Sequence, residues 1–109
     1  MKHITVNEFK NLVEKEQGNE SLDFINVCTP EEYRAEHISG VRSVPLDELS
    51  EHLGEFKDKE TIYIHCRSGN RGRIAMQQLK AFGVAAELVN VEGGLMAWGQ
   101  AGYDTNSHS

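Results

Sequence analysis

The chain has 109 residues, 39% apolar and 26% charged, a balance that fits one globular domain with its own core and excludes a disordered chain. A formal net charge of −6 makes nucleic acid and anionic membranes poor partners, and no segment approaches the ~18 consecutive apolar residues of a membrane span. The opening MKHITVNEFK has no apolar signal core and no cleavage pattern, so a cytoplasmic chain is expected. Cys28 and Cys66 form no CxxC pair, no disulfide framework and no His/Cys ligand set. No metal or cofactor is therefore expected, and both thiols should be free in a reducing compartment.

In chain order, Thr5 and Glu8 form a capping-box pattern, and Phe9, Leu12 and Val13 supply the apolar face of a first helix. SLDFINV (21–27) reads as a buried strand. TPEEYRAEH (29–37) reads as a second helix, with Thr29 as cap, Pro30 in the first position and Glu32 three residues after the cap. GVRSVPL (40–46) predicts a short strand and DELSEHLGEF (47–56) a short helix that Gly54 helps to end. TIYIHC (61–66) is a clear strand, RIAMQQLKAFG (73–83) a helix closed by Gly83, and AAELVNV (85–91) the last strand. EGGLMAWGQAGY (92–103) predicts a glycine-opened turn and short helix, and 104–109 a frayed tail. Strands alternating with helices predict an α/β fold, a parallel sheet covered on both faces. Such sheets bind ligands beyond the carboxyl ends of their strands, where Cys66 and Cys28 both fall.

The chemistry concentrates in CRSGNRG, residues 66–72. A strand ends in a cysteine, a glycine-bearing turn follows, and a helix begins. Backbone N–H groups of such a turn and the helix N-terminus can converge on one point, a geometry that binds an anion and stabilises a thiolate. Arg67, Arg71 and Arg73 concentrate positive charge there in an otherwise acidic chain, which points to a small anion. A thiolate is the form competent for nucleophilic attack. A cysteine at a strand end is, on its own, equally read as a buried small residue. His65 reads either as a general base or as a buried, hydrogen-bonded histidine, and an alternating strand, which would point it away from Cys66, favours the second.

The stretches FINVCTPEEYRAEHISGVRSVPLDEL, IYIHCRSGNRGRIAMQQLKAFGV and LVNVEGGLMAW together resemble a rhodanese-like, or rhodanese-homology, domain. The resemblance covers nearly the whole chain: residues 1–103 as the domain, 104–109 as a tail. It implies a central, mainly parallel five-stranded sheet with helices on both faces, and sulfur transfer through a persulfide on catalytic Cys66. The donor would be thiosulfate or a similar small sulfur-containing anion; the acceptor would be cyanide, a thiol or a sulfur-relay protein. Arg67, Ser68, Gly69, Asn70, Arg71 and Gly72 would form the substrate-binding loop, with Arg71 pairing either a carboxylate beneath it or the leaving group. Trp98, Gly93 and Gly94 would shape the neighbouring wall. Related phosphatases resemble a form with one more residue before the arginine. That arginine would stand at 72, which is glycine here, so the shorter loop favours sulfur over phosphatase or arsenate-reductase chemistry. A non-catalytic sulfur-carrier or regulatory module is the alternative.

Two positions depart from the resemblance. Asn26-Val27-Cys28 stands where Asp-Val-Arg is usual, and Gly72 where Ser or Thr is common. The strands ending at 27 and 66 are neighbours in the family's sheet, which would bring Cys28 near Cys66. Cys28 then reads either as a passive replacement for arginine or as a thiol that resolves a Cys66 persulfide or sulfenate by forming a disulfide.

Overall fold

Two Thr-x-x-Glu boxes open the first two helices. Thr5 Oγ1 accepts the Glu8 N–H and Glu8 Oε1 accepts the Thr5 N–H, at 3.2 and 3.1 Å, starting α1 (Val6–Lys15). Thr29 and Glu32 repeat the exchange at 3.2 and 3.0 Å, starting α2 (Pro30–Ala35). Each box satisfies two backbone donors that a helix start would otherwise leave unpaired.

The structure, a computed structural model, describes residues 2–107. Five strands, β1 (Lys2–Ile4), β2 (Leu22–Asn26), β3 (Arg42–Ser43), β4 (Thr61–His65) and β5 (Glu87–Val91), form one sheet in the order β1-β5-β4-β2-β3. Every neighbouring pair is parallel. α3 (Asn70–Ala81) and two 3-10 turns, Leu46–Glu51 and Leu53–Phe56, cover one face; α1 and α4 (Gly94–Gln100) cover the other. The core accordingly splits in two, one half around Ile25, Ile62, Ile64 and Leu79, the other around Phe9, Phe24, Val89 and Trp98.

Strand order fixes where the site lies. The chain leaves β2 for β3 on one side and leaves β4 for β5 on the other, while β2 and β4 are themselves neighbours. The connections part company there, opening a crevice beyond the carboxyl ends of those two strands. Cys28 and Cys66 follow them.

Several sequence expectations change in detail. β1 is a fifth strand that the pattern left unassigned. The predicted helix 47–56 is two 3-10 turns, because no side chain caps it and Gly54 falls in its second half. α3 begins at Asn70, not 73: Gly69 takes φ +99°, a left-handed conformation open to glycine, and so caps the helix three residues early. The predicted strand 40–46 shrinks to Arg42–Ser43. Within the expected frayed tail, residues 104–106 are tied down: Asn106 exchanges backbone hydrogen bonds with His37 at 2.8 and 2.9 Å, and the Trp98 indole N–H donates to the Asp104 carbonyl at 2.9 Å. His108 and Ser109 lie outside the described residues. No helix among the described residues is long and apolar enough to cross a membrane.

Candidate active site

β4 is apolar where it crosses the sheet, with Ile62 and Ile64 fully buried on the α3 side, so period-2 alternation sends Cys66 to that same side and His65 to the opposite one. Cys66 is fully buried. Its Sγ accepts the Gly69 N–H at 3.0 Å, one residue before α3 begins. The thiol thus sits against the positive end of a three-turn helix, where a negative charge is favoured.

The backbone around Cys66 is fixed by α4. The Leu95 N–H donates to the Cys66 carbonyl at 2.8 Å and the Met96 N–H to the Arg67 carbonyl at 2.9 Å. The first turn of α4 thus binds the loop's outgoing carbonyls. The close approach depends on Gly94, at φ +51°: a Cβ there would stand 2.2 Å from the Cys66 carbonyl oxygen. His65 Nδ1 donates to the same carbonyl at 2.8 Å, while its Nε2 has no hydrogen-bond partner. Full burial pushes the His65 imidazole down to about 4, leaving it neutral at ordinary pH. His65 is therefore a positioning group, buried against the Phe9 ring at 6.1 Å.

The remaining loop residues divide by exposure. Arg67, Ser68 and Asn70 are exposed; Gly69 and Gly72 are buried. Arg71 reaches α2, where its Nη1 and Nη2 donate to Glu32 Oε1 and Oε2 at 2.6 and 3.0 Å, while its charge still acts on both Cys28 and Cys66. The Arg71 guanidinium beside Glu32 draws that carboxyl down to about 2. A groove of about 320 Å³ lined by Val27, Leu46, Arg71 and Gln78, among others, flanks the loop on the α3 side. A second, of about 190 Å³, flanks it on the α4 side, where Glu36, Arg67, Leu95 and Met96 form its walls.

The two departures from the family pattern have structural explanations. Asn26 Oδ1 accepts the Cys28 N–H at 2.8 Å, so the amide retains an acceptor oxygen at the strand end. Gly72 leaves room for Asn90: a Cβ at 72 would stand 2.1 Å from Asn90 Oδ1, and Asn90 Nδ2 donates to the Gly69 carbonyl at 3.4 Å. Asn90 and Glu32 are the loop supports that the sequence did not disclose as such. Glu32 was legible as a helix cap but not as the Arg71 partner, and Asn90 lies in what reads as an ordinary buried strand. Cys28 is buried, and burial pushes its thiol up to about 11, against the opposing pull of Arg71.

Residues 5–101 match the family described as Rhodanese-like domain. The "Putative sulfur carrier protein YrkF" of Bacillus subtilis is 35% identical over 95 residues, covering 87% of this chain and 49% of that protein, so the chain spans about half of YrkF's length. The thiosulfate sulfurtransferase PspE of Escherichia coli is 32% identical over 62 residues, 55% of this chain and 60% of PspE. Among solved structures, a rhodanese-like domain protein from Staphylococcus aureus superimposes with a TM-score of 0.81 at 33% identity, covering 100% of both chains. Fold, loop and these likenesses agree, and the chain belongs to the rhodanese-like domain family.

Proposed function

We propose that the chain is a thiosulfate sulfurtransferase-type enzyme that moves a sulfane sulfur from thiosulfate or a similar anion to cyanide or a thiol through a Cys66 persulfide. The observation that carries the reading is the Gly69 N–H on Cys66 Sγ at 3.0 Å, at the start of α3, in a loop that closes with Arg71. The Cys66 thiolate attacks the outer sulfur of thiosulfate. The S–S bond breaks, and sulfite departs with the electron pair. The persulfide's terminal sulfur is then taken by cyanide as thiocyanate, or by a thiolate as a new persulfide, and the Cys66 thiolate returns. Arg67, Ser68 and Asn70, on the exposed side of the loop, receive the anionic end of the donor. Gly69, Arg71 and Gly72 hold the cradle. The commitment of Arg71 to Glu32 supports this reading over phosphoryl transfer, which would need a guanidinium on the equatorial oxygens. Two free thiols fit a reducing, cytoplasmic setting.

A second reading, a carrier or regulatory module fed by a partner protein, is favoured by the YrkF likeness and by exposed Met96 in the groove beside Arg67. Intact-mass measurement after exposure to thiosulfate tests the enzyme. One added sulfur on wild type at the earliest times after mixing, and neither adduct nor thiocyanate release in Cys66→Ser, is the expected result; unchanged turnover in the serine variant would refute it. Negligible thiosulfate turnover combined with rapid loading from a protein persulfide selects the carrier. Hydrolysis of a generic aryl phosphate would favour the phosphatase reading instead.

A further inference from the structure

We propose that Cys28 is a second reacting thiol, an internal acceptor that attacks the Cys66 persulfide and releases its sulfur as hydrosulfide. The inference rests on the persulfide reading and concerns the fate of the sulfur once Cys66 is loaded.

The juxtaposition comes from register. β2 and β4 pair from Leu22↔Thr61 to Asn26↔His65, and the Val27 N–H continues the ladder by donating to the His65 carbonyl at 2.9 Å. Val27 therefore stands opposite Cys66, and Cys28 is one residue beyond. Adjacent strands lie about 4.8 Å apart and successive Cα atoms about 3.8 Å, so the Cys28 and Cys66 Cα atoms are at most about 8.6 Å apart and about 6 Å if the chain runs on straight, and the Cys66 charge acts on Cys28. The shorter separation lies within the range a disulfide spans.

Separation alone would not suffice if the thiols faced opposite sides of the sheet. Continued alternation after Val27 would send Cys28 to the α1 face. Instead, Asn26 Oδ1 accepts the Cys28 N–H at 2.8 Å, an Asx turn that ends the strand. Cys28 accordingly belongs to the same buried cluster as Val27 and Cys66. The residues that replace Asp and Arg at 26 and 28 thus supply both a thiol and the turn that aims it. Burial keeps Cys28 protonated at ordinary pH, with Arg71 and the Arg67 backbone N–H easing its ionisation. A held thiol of this kind lets Cys66 load before the internal attack.

The step balances without an external oxidant. The Cys28 thiol gives its proton to the departing sulfur, a Cys28–Cys66 S–S bond forms, and the bond from Cys66 Sγ to the outer sulfur breaks. That sulfur leaves as HS⁻, reduced, while the two cysteine sulfurs are oxidised to the disulfide. A small dithiol or dithiol protein resets the pair by thiol–disulfide exchange.

The test is anaerobic: load the protein with thiosulfate, remove the excess, and follow intact mass and sulfide without an acceptor. Wild type is expected to end two hydrogens lighter than the reduced protein, with one equivalent of sulfide and a Cys28–Cys66 peptide cross-link. Without thiosulfate no such species forms. Cys28→Ser and Cys28→Ala are expected to keep the sulfur adduct at least about tenfold longer. A wild-type adduct as persistent as the variants' overturns the inference, and so does sulfur retained on Cys28. The wild-type peptide map decides even where a variant folds poorly. If neither wild type nor variants take up sulfur, the loading reading fails as well, an outcome distinct from a stable adduct.

Discussion

Glu32 and Arg71 clamp the first turn of α2 to the first turn of α3 through two hydrogen bonds of 2.6 and 3.0 Å. The same carboxylate caps α2 through the Thr29 N–H at 3.0 Å. One side chain therefore starts a helix after β2 and anchors the loop after β4. Both side chains are about one third exposed, so the pair stabilises by only ~1 kcal/mol, and its main effect is on where the loop stands. Glu32→Gln is expected to lower stability by about that amount and to slow sulfur loading more than it slows global folding. Because the folded carboxyl titrates at about 2, below its ordinary 4.5, its contribution is complete above pH 4.5 and is lost as pH falls toward 2. Urea unfolding of wild type and Glu32→Gln across that window should show the two converging at the acid end.

His65 predicts a separate pH dependence. Its imidazole is fully buried, and its folded value is about 4 against an ordinary 6.5. The unfolded chain therefore binds the proton more readily than the folded one. The contribution of His65 to stability is complete above pH 6.5 and is lost as pH drops from 6.5 toward 4, a loss on the order of a few kcal/mol. His65→Gln removes the titrating group, so its unfolding free energy should vary far less over that window, although lost packing lowers it overall. Equal pH slopes for both proteins would show that His65 is not the source.

Gly72 and Asn90 are predicted to be energetically coupled. A methyl group at 72 would stand 2.1 Å from Asn90 Oδ1, and that oxygen is already buried without a partner. Gly72→Ala should cost ~1–3 kcal/mol despite alanine's better helix propensity. In the Asn90→Ala background the same change should cost little or stabilise. A double-mutant cycle by thermal or denaturant unfolding reads the coupling, expected above ~1 kcal/mol. Additive effects would mean that the amide swings aside freely.

The alternating elements were legible because local chemistry declared them: Thr5 and Thr29 with glutamates three residues on, and an isoleucine-rich run ending at Cys66. The Cys66 loop was legible for the same reason, since glycines and arginines cluster within a few residues of the thiol. β1 was not, because Lys2–Ile4 has only three residues and pairs solely with β5, each residue with a partner 87 positions away (Lys2 with Val89, Ile4 with Val91). The 47–56 segment misled because its apolar spacing suits a helix while Pro45 and Gly54 leave room only for 3-10 turns. Glu32 and Asn90 were invisible as loop supports for a topological reason: each reaches the loop from a distant part of the chain, and only the β2–β4–β5 order brings them together.

The sharpest test of the scaffold compares two glycines of the same helix. Gly94 has φ +51°, and a Cβ there would meet the Cys66 carbonyl oxygen at 2.2 Å and Arg67 carbonyl atoms at 2.9 Å. Those neighbours are backbone, held by the Leu95 and Met96 N–H groups, so they cannot yield as a side-chain tip could. Gly94→Ala should therefore combine a left-handed penalty of ~1–2 kcal/mol with displacement of the Cys66 loop, for a loss of at least ~2 kcal/mol and most of the sulfur-loading rate. Gly99 lies later in α4 with open space where a Cβ would fall and no positive φ. Gly99→Ala should instead stabilise by ~0.5–1 kcal/mol and leave loading unchanged. Opposite signs in thermal unfolding for one and the same substitution, five positions apart, are what the contact between α4 and the Cys66 carbonyl requires; matching signs would mean that α4 does not hold the loop.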